Sequence, residues 1–591
     1  MTATKWELSQ LVENDDPDKI IEQLQVMVQE SKEFSEKYRG KIKKLPISGL
    51  AKLLKRKDDY YLRFEGVMKY CHLLYSADTS SPVANRLYAA ESKAGTESGQ
   101  NLAFLDIELG KRLLAEPELL KAPELKEYRH YLERAARAAP YLLSENEEKL
   151  IISKDQNGAV AWSKLQKSWL STRTFKMTVG GMEKELSLGE ILAFVNDKDR
   201  KVRREALDAI SSVLASNDAI WVEALNSICS DHLQTGKLRG YSSPLHSSLI
   251  FNDVEEKAIK AMMSAIEKNV SFTEKYYGMK AKMLGLEKIS DCDIMAPVAS
   301  TERKYTWEES REMVTASYTK FDPSWGRWVS RMFDEKHIDS EVRKGKVAGA
   351  FCDDWVANRS AYVLLSFNGN LSDVFTEAHE LGHSIHAYLY TNKQNVSNCM
   401  ISYCIAECGS IFGELLLTDY LLGRAESDDE KKAILASVLD SFTYIIAQVG
   451  ARYAFEQSVY DTIDEGKNLD GRSVCELWEN ARKRYMRDSV EWSPGSSWIW
   501  ARVPHYFMNY LRFYNYPYIF AQLFVFSLYR LYKEQGAAFV PKMNTLLSAG
   551  SSASAADLAK RLGFDLETEE FWQKGIDQAG EMLSELEKVQ K

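Results

Sequence analysis

The sequence predicts a mostly α-helical protein, and three observations carry that expectation. Glycine and proline are sparse through the first 170 residues. Apolar residues there recur at three- and four-residue intervals, the period of one helix face. Stretches with strand chemistry are short and confined to two places. At 591 residues the chain exceeds what one ordinary core organises, so two to four domains, or one large helical assembly, are expected.

Helical periodicity runs through Asp18–Lys37, Asp58–Ser76, Asn85–Ala115 and Glu124–Ala139, and Pro140 ends the last of these. At Arg173–Leu188 the period changes. Phe175, Met177 and Val179 alternate, and Gly180-Gly181 supplies turn chemistry for a β-hairpin returning through Leu186. Helices resume at about Ser187, which sets an N-terminal region of 1–186 against a catalytic region of 187–591. Lys344–Asn370 is again non-helical, with Gly345, Gly349 and the alternating run Ala361–Phe367, and short strands are expected there. Ser372 then offers an N-cap, with Asp373 in the first turn where the helix dipole favours negative charge. Beyond Cys399 the pattern is helical, apart from a turn at Pro494–Ser497 and a tyrosine- and proline-rich segment, His505–Tyr518.

The helix opened by Asp373 contains His379-Glu380-Leu381-Gly382-His383. Side chains four apart stand one above the other on a helix, so His379 and His383 can hold one Zn²⁺, with Glu380 in reach of the water it polarises. A catalytic zinc needs a third protein ligand. The longer class with glycine and histidine further along is excluded, because those positions hold His386 and Leu389. His386 lies about 10.5 Å along the axis from His379, too far for one ion to bind all three, and a packing role is expected. Ser402–Leu422 reads as an apolar helix interrupted by Glu407 and Glu414. A carboxylate in so apolar a stretch needs a partner, a metal or a rim position. These two glutamates are seven apart and share a face, so periodicity does not choose between them.

Composition excludes rather than assigns. The net charge of −9 argues against a nucleic-acid partner. The N-terminus lacks a basic start and an apolar core, so no secretory signal is expected. The apolar stretch around Ile519–Tyr529 is too short to span a bilayer, and no membrane partner is expected. Eight scattered cysteines without a CxxC pair read as reduced thiols of a cytoplasmic protein. Cys404 and Cys408 can stack on one helix face, but a cysteine-ligated site lacks further partners.

The residues Phe367–Thr376 (FNGNLSDVFT), His379–His386 (HELGHSIH), Ala406-Glu407, Gly345–Cys352 (GKVAGAFC), Pro504-His505 and Leu186–Leu214 carry a resemblance. The chain resembles the thimet-oligopeptidase family of zinc peptidases, most closely its oligoendopeptidase F branch, from about residue 110 onward. The resemblance implies a two-lobed, mostly helical body with a deep substrate channel and a small β-sheet beside the metal helix. It places the third zinc ligand on Glu407, giving one Zn²⁺ held by His379, His383 and Glu407. It implies an endopeptidase for short peptides, in which Glu380 is the general base and strands at Val347–Phe351 and Ala361–Phe367 grip an extended substrate through main-chain hydrogen bonds. His505 and tyrosines of its segment are implied to close over the substrate. Among Tyr506, Tyr510, Tyr514, Tyr516 and Tyr518, the expected pair is Tyr514 and Tyr518, four apart on one face if the segment is helical. The spacing after His505 departs from the family's common pattern.

Two rival functions are distinguishable. An exopeptidase of the same family, dipeptidyl carboxypeptidase-like, needs a cation for the substrate carboxylate, and Arg502 and Arg512 are the candidates. An aminopeptidase lacks support, since neither GxMEN nor NExxSD occurs. A non-catalytic helical scaffold requires the motif, the following glutamates and His505 all to be coincidental.

Overall fold

The computed structural model describes residues 4–298, 303–508 and 511–590. It is predominantly helical, and the described strands form only small sheets. The chain divides into two compact units, each built from three separated stretches. The first comprises Met1–Pro140, Glu302–Arg424 and Leu531–Gly563; the second comprises Tyr141–Thr301, Ala425–Arg530 and Phe564–Lys591.

In the first unit, α1 (Pro17–Tyr38), α2 (Ile47–Ala77) and α3 (Pro82–Leu102) follow from local chemistry. The Asp16 carboxylate caps α1 by accepting from Asp18 N at 2.8 Å, and Pro17 sits at the first helical position, where no N–H is needed. Ile20, Leu24 and Met27 of α1 and Phe64, Val67 and Leu73 of α2 share one core with Trp355, Tyr362 and Leu364. The N-terminal helices therefore bury their apolar faces against a sheet. That sheet is formed by β1 (Ile338–Asp339), β2 (Phe351–Trp355) and β3 (Ser360–Leu364). Strand β3 is central and wholly buried, parallel to β1 and antiparallel to β2, which leaves β2 as an edge.

Several sequence expectations need correction here. The first strand begins at Phe351 rather than Val347, because Val347 N donates to Ser76 O of α2 at 3.0 Å and the preceding residues turn. The second ends at Leu364 rather than Phe367. Residues 85–115 form two helices, with a break at Ala103. Asn370, not Ser372, caps the metal helix: Asp373 Oδ2 accepts from Asn370 N at 3.0 Å and from Asn368 N at 2.7 Å, so the helix starts one residue after Asn370.

The second unit contains the expected hairpin, Phe175–Val179 paired with Met182–Leu186 in antiparallel register. Gly180 and Gly181 both hold positive φ at its turn, the requirement of a two-residue hairpin loop. Residues Asp428–Asp464 form one continuous helical run, longer than the stretch at Ile519–Tyr529. It is long enough to cross a bilayer by length and composition, yet 72% of its apolar window is buried inside the protein, as in a core helix. It includes a π-helical turn at Tyr444–Val449.

Candidate metal centre

Three helices of the first unit build the site: α4 (Trp307–Phe321), α5 (Leu371–Thr391) and α7 (Cys408–Leu422), with the single turn α6 (Tyr403–Ala406) before α7. The sequence reads α6 and α7 as one helix, but the structure interrupts it at Glu407, where ψ is 5°. The kink places the Glu407 side chain against the turn of α5 that carries the two histidines. His379 Nε2 and His383 Nε2 are 3.2 Å apart, and Glu407 Oε2 is 3.3 Å from the first and 3.2 Å from the second. Among the described residues, these three form the group spaced to hold a metal ion. A tetrahedral zinc with ligand bonds near 2.0–2.1 Å has edges of about 3.3 Å, so the donor triangle fits the ion in type and size.

The surroundings favour positive charge at that point. His379 Nδ1 contacts Glu414 Oε1 at 2.5 Å, so the proton on this nitrogen faces a carboxylate and the Nε2 lone pair faces the triangle. Burial opposes a charged imidazole at His379, but hydrogen bonds and charge from Glu407 and Glu414 outweigh it and raise its pKa well above the ordinary value. Burial would likewise raise Glu407, yet the charge of His383 and hydrogen bonds from both imidazoles hold it well below the usual carboxylate range. This field stabilises a cation, proton or metal ion alike. Glu380 is 6% exposed, and its Oε2 is buried without a hydrogen-bond partner. Burial raises its pKa, while the neighbouring His379 and His383 pull it down.

Two glycines set the distance between α5 and α7. A methyl group on Gly382 would meet backbone of α7, with Ser410 Cα at 2.6 Å. A methyl group on Gly409 would meet Gly382 O and approach His386 Cβ to 3.0 Å. The glycine inside the zinc motif is thus a packing requirement.

His386 takes no part in the triangle. It is 3% exposed, burial drops its pKa to about 3, and its ring lies edge-on to Tyr390 at 5.5 Å. Cys404 and Cys408 are buried, form no disulfide among the described residues and lie outside the metal group. Sequence reasoning missed Glu377, wholly buried and hydrogen-bonded by Ser310 of α4, and Tyr318, whose hydroxyl donates to Ala378 O at 2.5 Å. Both tie α4 to α5, and a tertiary contact of this kind leaves no periodic signal in sequence.

The other expected site residues belong to the second unit. His505 lies in a short 3₁₀ turn, Pro504–Phe507, and its Nδ1 is 3.2 Å from Asn515 Oδ1. Its pKa is lowered by burial. Its ring is 4.9 Å from that of Tyr514 and 6.1 Å from that of Tyr518, while those two tyrosines are 5.4 Å apart. The three meet even though the helix begins only at Tyr516, after Tyr514. Tyr506 is wholly buried and its hydroxyl donates to Arg452 O; Tyr516, also buried, donates to Ser248 O. Tyr510 lies outside the described residues. Arg512 is committed to packing: it is 2% exposed, donates to Tyr460 Oη at 2.6 Å and lies 3.4 Å from Glu456.

Comparison with known proteins adds an independent line. A family model described as peptidase family M3 matches residues 193–578, and one described as oligopeptidase F matches 117–175. The chain is 24% identical over 562 residues to oligopeptidase PepF of Bacillus subtilis, covering 94% of this chain and 82% of that protein. It is 24% identical over 538 residues to group B oligopeptidase PepB of Streptococcus agalactiae, covering 90% and 88%. Among solved structures, one from Chlamydophila abortus superposes with a TM-score of 0.85 at 22% identity, covering 99% and 98% of the two chains. Oligoendopeptidase-F from Enterococcus faecium gives 0.72 at 20% identity, covering 97% and 99%.

Proposed function

Because this chain belongs to peptidase family M3, we propose that it is a zinc-dependent oligoendopeptidase that cleaves internal bonds of short, unfolded peptides in the cytoplasm. The observation that carries this reading is the donor triangle of His379, His383 and Glu407, with edges of 3.2–3.3 Å, beside a buried carboxylate. The relatives named for oligopeptides support the substrate class. The eight cysteines, none of them in a disulfide among the described residues, support a reducing compartment.

His379, His383 and Glu407 would hold one zinc ion through Nε2, Nε2 and Oε2. Zinc bound there supplies a Lewis acid that acidifies water and polarises a carbonyl. Glu414 accepts the Nδ1 proton of His379, which keeps the opposite nitrogen free to bind and fixes the ring. Glu380 acts as the base. Its buried carboxylate takes a proton from the attacking water and returns it to the leaving amine. We assign Tyr514 and Tyr518 as hydrogen-bond donors to the substrate and His505, whose Nδ1 faces Asn515 Oδ1, as the ring packed against them. A hydroxyl that donates to the developing oxyanion lowers the barrier without a proton leaving the enzyme.

The test uses metal analysis and mass spectrometry together. Purified protein should carry one zinc per chain, cleave a peptide blocked at both ends, and lose cleavage in a chelator. Cleavage restricted to an unblocked C-terminus would replace the endopeptidase with the carboxypeptidase-like alternative. Cleavage that survives complete metal removal would overturn the mechanism.

A further inference from the structure

The sheet of the first unit meets a row of aromatic rings that the chemistry above does not use. Among the described residues, β2 has a neighbouring strand only on its β3 side, so its other edge is open. Asp354 of β2 accepts from the Tyr390 hydroxyl of α5 at 2.7 Å, which ties this edge to the helix of the metal group. Asp353 accepts from Lys69 Nζ of α2 at 2.6 Å, and its other oxygen lies 3.4 Å from His72 Nδ1. Lys69 also reaches Asp354 Oδ1, at 3.2 Å. Phe351 is two residues before Asp353 and so shares its face of the strand. The Phe351 ring stacks on that of His72, with centroids 5.8 Å apart. His72 in turn lies 6.3 Å from Tyr88 of α3, and Tyr88 stacks on Tyr75 of α2 at 4.4 Å.

These four rings form a ledge beside the strand rather than part of a core. The core shared by α1, α2 and the sheet takes in Phe351 at its margin, but neither Tyr75 nor Tyr88. Tyr88 is 36% exposed, and the His72 side chain 45%. A single exposed aromatic needs no explanation, whereas a stacked row drawn from three elements presents a continuous apolar face to solvent. Asp353 holds the His72 ring through Nδ1, so the face of the imidazole, not its polar edge, meets Phe351. The Asp353 carboxylate is already matched by Lys69. A ligand of this ledge is therefore apolar and planar rather than ionic.

We propose that a peptide substrate pairs with the open edge of β2 and seats one aromatic side chain on the ledge of Phe351, His72 and Tyr88. The inference rests on the reading of this protein as a peptide hydrolase, and it adds a specificity subsite. The donor triangle, the strand and the ledge all belong to the first unit. An extended peptide added to a sheet edge keeps the alternation of the strand it joins. Its residue opposite Phe351 turns its side chain to the same face, with Cβ atoms about 4.5–5.5 Å apart. That side chain meets Phe351 first and extends along His72 and Tyr88. Main-chain hydrogen bonds alone accept any sequence; stacking on the ledge singles out Phe, Tyr or Trp at one position.

The experiment is isothermal titration calorimetry with unlabelled peptides, using the metal-loaded Glu380→Gln variant so that peptides bind without turnover. A single Phe is moved along a short Ala/Gln peptide blocked at both ends, and each version is compared with the Phe-free peptide. The best-placed Phe should bind about tenfold more tightly, the gain expected for burying one aromatic side chain. Adding His72→Ala or Tyr88→Ala should cut that ratio by about threefold or more, the share of a stacked aromatic pair. Tyr88→Phe keeps the ring and should keep the ratio. A fall in either Ala variant supports the ledge. A ratio unchanged in both overturns the proposal, as does a Glu380→Gln parent with no Phe preference or a Tyr88→Phe variant that loses it. Circular dichroism melting checks that His72→Ala folds; if it does not, Tyr88→Ala, on the surface of α3, reads the same ratio. Wild-type cleavage is scored separately, so failure of the hydrolase reading stays distinct from failure of the ledge.

Discussion

His379 Nδ1 lies 2.5 Å from Glu414 Oε1, which makes Glu414 the partner that orients this imidazole of the candidate metal group while Glu407 faces the opposite nitrogen. The two glutamates, seven apart in sequence, therefore hold one histidine from both sides. Replacing Glu414 with Ala should weaken zinc affinity about 10–100-fold, the usual cost of losing such a partner, without abolishing binding. Competition against a chromophoric chelator measures it. Unchanged affinity would remove Glu414 from the centre.

Glu407→Ala should lose the ion altogether, because two imidazoles alone leave a catalytic zinc short of its third protein ligand. Metal analysis after dialysis reads the result directly. Full occupancy in this variant would shift the third ligand to Glu414.

Glu380→Gln should keep one zinc per chain and lose about 10²–10⁴-fold in kcat, the typical share of general acid–base catalysis. The amide preserves shape but cannot carry the proton. Near-wild-type turnover would sink the base assignment.

Asp293→Asn tests the second unit through its stability. Asp293 is wholly buried between Arg203, at 2.8 Å, and Arg200, at 2.9 Å. Burial would raise its pKa, but the hydrogen bonds from Arg200, Ser290 and Arg203 hold it well below the ordinary 3.8. A depressed carboxylate contributes stability that is complete above its unfolded pKa and is lost as the pH falls through the folded one. At pH 7 the variant should therefore be less stable by about 3–5 kcal/mol, the cost of breaking a buried ion pair. The gap should narrow progressively as the pH drops below 3.8. Urea unfolding at neutral and acidic pH gives both numbers, and a gap independent of pH would contradict the ionic account.

Gly382→Ala is the packing test. Its new methyl group meets backbone that cannot rotate aside, so a loss of about 1–3 kcal/mol or more is expected, together with weaker zinc binding. A variant that loses stability yet keeps full zinc affinity would show that helix spacing and ligand geometry are separable.

How much of this was legible in sequence depends on the range of the interaction. The helices of the N-terminal region and the hairpin at Gly180-Gly181 follow from local periodicity and turn chemistry. The 3.6-residue repeat likewise places His379 and His383 on one face. The cap at Asn370 was misread because Ser372 and Asn370 both precede Asp373, and only the geometry shows which one the carboxylate reaches. The break at Glu407 was invisible for a related reason. Its neighbours are good helix residues, and the interruption follows from contacts with α5 rather than from local preference.

The contact between Gly382 and Gly409 has one more consequence. The distance between the helix that carries the two imidazoles and the helix that follows Glu407 is set by main chain against main chain. Side chains flex and average out neighbouring changes; two backbones in contact do not. The site is therefore calibrated by the two hydrogen atoms that stand where every other residue has a carbon. Tolerance for ions of other radii should be correspondingly narrow.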